Sequence, residues 1–174
     1  MSHKTLIFSV IVFYVFCSTN LFSAQYENYK WGISKKEAIQ QVKDNGYSIL
    51  EYINFEKVGE ESIAYYDKIF GYKVRVHLKF SPKSNKLYAI LIESVGDQSR
   101  YLGSKLLQML QDKYGKASYL NQYENNYYWL ENGKVSIILV YNFKTELIYY
   151  SIYYSPIADK EYEELYNKEA KGKL

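Results

Sequence analysis

Two histidines and one cysteine are all the imidazole and thiol that this 174-residue chain has for chemistry. His3 and Cys17 stand in an N-terminal stretch that reads as removable, which leaves His77 as the sole imidazole of the mature chain. His77 alternates with Arg75 and Lys79 along an extended segment. A histidine between two cations on the polar side of a strand is expected to be solvated rather than to act as a general base. Cys–His nucleophiles and His-cluster metal sites need partners that such a chain lacks. No serine occupies a Gly-x-Ser-x-Gly elbow, and neither a phosphate loop nor a dinucleotide fingerprint is present. Carboxylates remain, at Asp67 and in the doublets Glu60-Glu61 and Glu163-Glu164. A pair could in principle work as acid and base, but both doublets read as solvated charge, the second on a helix surface. The expectation is therefore a protein with no catalytic residues, no metal and no cofactor.

The N-terminus explains why Cys17 is discounted. A basic start (Lys4), an apolar run from Thr5 to Phe16 and a small-residue exit at Ser23-Ala24 form the three-part pattern of a secretory signal. A membrane-spanning helix needs about 20 apolar residues, and Cys17, Ser18, Thr19 and Asn20 close this run too early. Residues 1–24 thus read as a signal peptide and 25–174 as the mature, periplasmic or secreted part. The alternative of a lipid anchor at Cys17 is disfavoured by the bulky Phe16 immediately before it. Without Lys4 the 22 basic residues become 21, against 19 acidic ones. That balance argues against a nucleic-acid partner, which would require a clustered basic face. The 22 tyrosines are unusual, and residues with AT-rich codons are common throughout, so the count alone is not read as function.

The elements repeat. Lys73–Phe80 and Lys134–Tyr141 both begin Lys-Val and alternate apolar residues, Val74, Val76, Leu78 and Phe80 against Val135, Ile137, Leu139 and Tyr141. This period of two marks strands with one buried face. Each leads through a short polar connection to a second strand, Leu87–Ser94 or Leu147–Ser155, with Leu87, Ile90 and Ile92 matching Leu147, Tyr150 and Ile152. A helix precedes each hairpin. Ser34 and Glu37 form a capping box, Ala38, Ile39 and Val42 share a side expected to be core, and Asn45-Gly46 supplies a left-handed stop. The second helix, capped by Asp97 or Ser99, carries Leu102, Leu106, Met109, Leu110 and Tyr114 and ends at Gly115. Further extended segments are expected at Tyr47–Phe55, Ser62–Ile69, Ser118–Tyr123 and Tyr127–Leu130. The fold class is α+β: two tandem helix-plus-antiparallel-sheet units, about 30–95 and 97–155, packed as one domain with a thin C-terminal helix over 157–171.

The opening Trp31-Gly32-Ile33-Ser34-Lys35-Lys36-Glu37-Ala38 is similar to the aromatic-Gly-x-Ser/Thr-x-x-Glu start of small secreted helix-plus-sheet modules. These include the β-lactamase-inhibitor-protein fold and the related units of outer-membrane assembly lipoproteins. The resemblance covers most of the mature chain in topology, and in text only this start and the glycine after each helix. It implies tandem units whose joined sheet offers an aromatic-rich face to a partner protein. The disulfide pairs known in some such inhibitors and the lipoprotein cysteine context are missing here, so the architecture and an expectation of binding are what carry over.

Phase reasoning adds a surface. Ile138 and Val140 lie between the core residues of one strand, and Tyr149 and Tyr153 between those of its neighbour, so the face opposite the core is apolar and tyrosine-bearing. Tyrosine joins a large contact area to a hydroxyl. Tyr149, Tyr153, Ile138 and Val140 are the expected binding residues, either offered to another exported or envelope protein or covered by the last helix or by the tyrosine-rich segment Tyr119–Trp129. Small-ligand or glycan binding is the alternative. A stacking platform of Tyr127, Tyr128 and Trp129 is disfavoured, because alternation turns Tyr128 away from the other two.

Overall fold

The computed structural model describes residues 29–55, 60–96, 99–121, 126–131, 133–142 and 147–171. The chain divides between Lys30 and Trp31 into two units. In the first only Tyr29 and Lys30 are described, so the expected signal segment, its cleavage point and Cys17 lie outside the described residues, as does Asp97. The second unit, Trp31–Leu174, holds all the helices and strands named below.

Helix α1 (Lys35–Asp44) starts where the sequence places it. The Ser34 hydroxyl accepts from the Glu37 amide at 3.3 Å, and the Glu37 carboxylate accepts from the Ser34 amide at 2.8 Å, satisfying two amides that the first turn leaves without helical partners. These bonds from Ser34 hold the Glu37 carboxyl below its ordinary value. At the other end Gly46, at φ 81°, lets Tyr47 donate back to the Val42 carbonyl at 3.1 Å. Ala38 and Val42 are fully buried. Ile39, expected in the core, is only half-buried: the buried stripe runs along the i, i+4 pair, and Ile39 lies on its flank.

Four strands come next: β1 (Ile49–Phe55), β2 (Glu60–Ile69), β3 (Tyr72–Phe80) and β4 (Leu87–Ser94). After helix α2 (Ser99–Tyr114) come β5 (Ser118–Asn121), β6 (Asn126–Glu131), β7 (Val135–Asn142) and β8 (Leu147–Tyr154), then helix α3 (Ser155–Lys171). All pair antiparallel in one eight-stranded sheet of order β1-β2-β3-β4-β8-β7-β6-β5. The α+β class is as the sequence indicates.

Register sorts the side chains into rows. One inner row runs Ile63, Leu78, Ile90, Ile152, Ile137, Trp129, and the next Tyr65, Val76, Ile92, Tyr150, Leu139, Tyr127. Most of these are buried, together with Leu102, Leu106 and Leu110 of α2. The Trp129 indole donates to the Gly115 carbonyl at 2.9 Å, tying the end of α2 to this face. Tyr127 and Trp129 stack on one another here, at 6.3 Å and 25°, while Tyr128 belongs to the opposite face, as alternation requires.

Helix α3 begins directly after β8, two residues earlier than the sequence indicates, with Pro156 in its first turn, where a missing amide hydrogen matters little. It packs against the end of the central strand β4, where Ile157 and Tyr162 meet Tyr88 and Ala89. Glu161 accepts from the backbone amides of Lys83 at 2.9 Å and Ser84 at 3.2 Å in the β3–β4 turn, and Lys83 pairs with Glu164.

Candidate binding groove

The outer face is built by a local irregularity. Phe80 pairs with Leu87 but Lys79 pairs with Ala89, so Tyr88 is an extra residue in β4. Strict alternation counted from Ile90 would send Tyr88 inward; the bulge turns it outward instead. There its hydroxyl donates to Glu60 Oε2 at 2.9 Å, and its ring meets Tyr153 edge-on at 5.5 Å and Tyr162 at 6.1 Å. Tyr162 also donates to Glu60, and Lys79 Nζ lies 2.6 Å from Glu60 Oε1.

Burial alone would raise the Glu60 carboxyl, but the Lys79 ammonium and the two hydroxyls more than offset it, and the group is held below its ordinary value. Tyr88 moves the other way: burial, then the bond with Tyr162 and the nearby Glu60 charge, push its phenol well up. Lys79 is thus compensated within the protein, and this end of the face carries a closed polar cluster rather than an open charge.

Beside the cluster lies a trough of about 490 Å³. Its floor is made of small side chains at the junction of β4, β7 and β8: Ala89, Ser151 and Ser136, with Leu91 beside them. Tyr128 and Ile138 form one wall, and Tyr88 and Tyr153 stand on the α3 side. The Tyr128 hydroxyl lies 3.3 Å from Ser136 Oγ. Three tyrosines therefore ring a floor of small residues at the centre of the sheet.

Of the residues expected to bind, Ile138 and Tyr153 line this trough. Tyr153 is shared with the helix, since its hydroxyl donates to Asp159 at 3.3 Å, and burial, then Asp159, raise its phenol. Val140 is half-buried one row away, outside the trough lining. Tyr149 pairs through its backbone with Val140 and Glu93; its side chain lies outside the described part of the structure. The expected alternatives of a covered or an offered face meet here: α3 covers one end and leaves the middle open. Sequence reasoning missed Tyr88, Lys79 and the floor. The available signal was Ser136 and Ser151, two small polar residues inside otherwise apolar strands.

His77 requires a correction. It faces outward as expected, but it is 7% exposed rather than solvated, with Nε2 3.2 Å from Glu93 Oε2. Its row neighbours on the flanking strands, Ala64 and Leu91, are both apolar. Arg75 likewise faces Glu51 at 3.5 Å, which makes the charged half of this face a set of cross-strand pairs. Among the described residues no three His, Cys, Asp or Glu side chains are grouped as a metal site requires, and no helix among them is long and apolar enough to cross a membrane. Comparison with protein-family models, with curated proteins and with solved structures found no match.

Proposed function

We propose that this chain is an exported, non-enzymatic binding module that takes an uncharged, apolar-anchored segment of another exported or envelope protein into the outer-face trough. The observation that carries this reading is the small-residue floor ringed by Tyr88, Tyr128 and Tyr153. A face meant only for solvent would carry charge at its centre, and one meant only for internal cover would lie under the helix. Lys79 is compensated by Glu60, so the trough favours an anchor without charge; burying an unpaired charge there would be costly.

The tandem architecture belongs to the same proposal. The strands matched in the sequence, β4 and β8, pair at the middle of the sheet. Leu91 faces Ser151, Ile90 faces Ile152 and Ile92 faces Tyr150. Because Ile90 corresponds to Tyr150 and Ile92 to Ile152, a half-turn about the Leu91–Ser151 pair exchanges the two halves. This supports a duplication, and with it the likeness to the inhibitor and assembly-lipoprotein modules.

Ser151→Phe places a ring on the trough floor without touching the inner face. Panning a random peptide display library against the protein should enrich sequences with one aromatic or aliphatic anchor, and the variant should bind them at least about tenfold more weakly while melting as the parent does. Equal binding by the variant would remove the trough from the interaction. A second reading, a small-molecule site, is favoured by the volume, which falls in the range of about 300–1,000 Å³ typical of such pockets. Fragment-induced NMR shifts at Tyr128 and Ser151, with no peptide enriched, would select it. The export half of the proposal rests on the signal pattern. Intact mass of protein from its native host should place the mature N-terminus near Gln25, whereas a diacylated mass at Cys17 would replace a free protein with an anchored one.

A further inference from the structure

The turn between β2 and β3 breaks two local rules at once. Ile69 pairs with Tyr72, so Phe70 and Gly71 form a two-residue hairpin loop, with φ 52° and 84°. Such turns require left-handed backbone at both positions and ordinarily use Asn-Gly or Gly-Gly. A phenylalanine there holds a bulky side chain in a conformation that L residues resist. Immediately behind the turn Lys68 stands directly opposite Lys73, a like-charge pair that weakens a hairpin. A sequence optimised for this fold alone would carry neither feature.

The surroundings supply a reason. Phe70 is 41% exposed, Val95 just after the end of β4 37%, and Tyr101 in the first turn of α2 70%. Val95 is tied to this end by its amide, which donates to the Lys73 carbonyl at 3.2 Å. Lys105, one turn along α2 from Tyr101, reaches to 5.7 Å from the Phe70 ring and 5.5 Å from that of Tyr72. Lys73 lies over Tyr66 at 3.7 Å. Lys68, Lys73 and Lys105 are all exposed, and among the described residues none of the three forms an ion pair with a carboxylate. The acid in this hairpin, Asp67, is buried and accepts from the Tyr47 hydroxyl at 2.8 Å and the Lys68 amide at 2.6 Å. Nothing stands within 4 Å of where a side chain on Gly71 would begin, so the space beside the turn at Gly71 is open.

We infer that the Phe70 turn is a docking tip for an anionic lipid surface, with the Phe70 ring entering the headgroup layer and Lys68, Lys73 and Lys105 meeting its negative charge. Lysine stems lie along apolar surface while their heads seek phosphate, and aromatic rings beside them favour the interface. A hairpin turn that carries a partly exposed ring among exposed lysines suits a charged layer; it provides no concavity to grip a protein segment. This surface is separate from the trough and does not depend on the binding proposed there.

Flotation with vesicles of phosphatidylglycerol and phosphatidylcholine, against phosphatidylcholine alone, tests it. The protein should float with the anionic vesicles, stay behind with the neutral ones, and be released at high salt. Exchanging Lys68, Lys73 and Lys105 for glutamine should lower partitioning on the order of a hundredfold, since each lysine near such a surface contributes about a fivefold factor. Phe70→Asn separates docking from folding, because asparagine tolerates the left-handed turn: the melting temperature should hold or rise by about 2–4 °C while vesicle binding falls. Undiminished binding by Phe70→Asn, binding to neutral vesicles as strong as to anionic ones, or capture by polyglutamate with neither vesicle bound would each overturn the assignment.

Discussion

Truncating Ile90 to alanine should remove about 2–5 kcal/mol of stability, read as a shift of the denaturation midpoint at unchanged slope. Ile90 is fully buried, on the strand that joins the two halves of the sheet, and its inner row places it between Leu78 and Ile152. Leu78 is also fully buried, so the neighbours have little freedom to collapse into the space, and the cavity left behind adds to the lost transfer energy. A loss that is a large fraction of a domain's stability would show in the melt at once. A change under about 0.5 kcal/mol, the scale of an exposed substitution, would mean that the register of β4 against β8 is wrong by one residue and that inner and outer faces are exchanged.

The same residue shows how far the sequence can be read. Val74, Val76, Leu78 and Phe80 alternate with Arg75, His77 and Lys79, and that strand's two faces follow from the period alone. Ile90 and Ile92 instead flank an equally apolar Leu91 and take their face from the match to the other hairpin. The capping box at Ser34 and the Asn45-Gly46 stop are likewise written in a few adjacent residues, so α1 could be bounded before any fold was known. Tyr88 is different. Whether a strand carries a bulge depends on how its partner is registered, and nothing near Tyr88 distinguishes it from its neighbours. The covering of His77 depends on Ala64 and Leu91, which only sheet pairing brings beside it. The trough shares this property: its floor comes from β4, β7 and β8, and its far wall from β6. Ile138 and Tyr153 were legible because they lie on matched hairpin strands; Tyr88 and Lys79 acquire their place through the bulge and through α3.

Replacing Glu60 by glutamine should cost about 2–3 kcal/mol at pH 7, the range of charge-assisted hydrogen bonds. Glu60 is 7% exposed and receives Tyr88, Tyr162 and Lys79 together, so one carboxylate joins β2, β3, β4 and α3. The loss should fall short of the 3–5 kcal/mol typical of breaking a fully buried pair, because the Lys79 side chain is 28% exposed and can turn its ammonium to water. Acid should mimic the substitution. The folded Glu60 carboxyl titrates below its ordinary value of 4.5, so its stabilisation is fully present above that pH and is lost as the pH falls through the lower folded value. Glu161, which holds α3 to the β3–β4 turn, is shifted the same way: burial opposes ionisation, and the Ser84 and Lys83 donors outweigh it. Between neutral pH and 4.5 the parent should therefore hold its stability, and below 4.5 it should lose it more steeply than Glu60→Gln, whose curve lacks that contribution. Guanidine titrations of both proteins at a series of pH values make the comparison. Parallel curves below pH 4.5 would mean that Glu60 is protonated or solvated in the folded protein, and that α3 is held at the end of the trough by its other contacts, among them Glu161 with the β3–β4 turn, the Lys83–Glu164 pair and the packing of Ile157 and Tyr162.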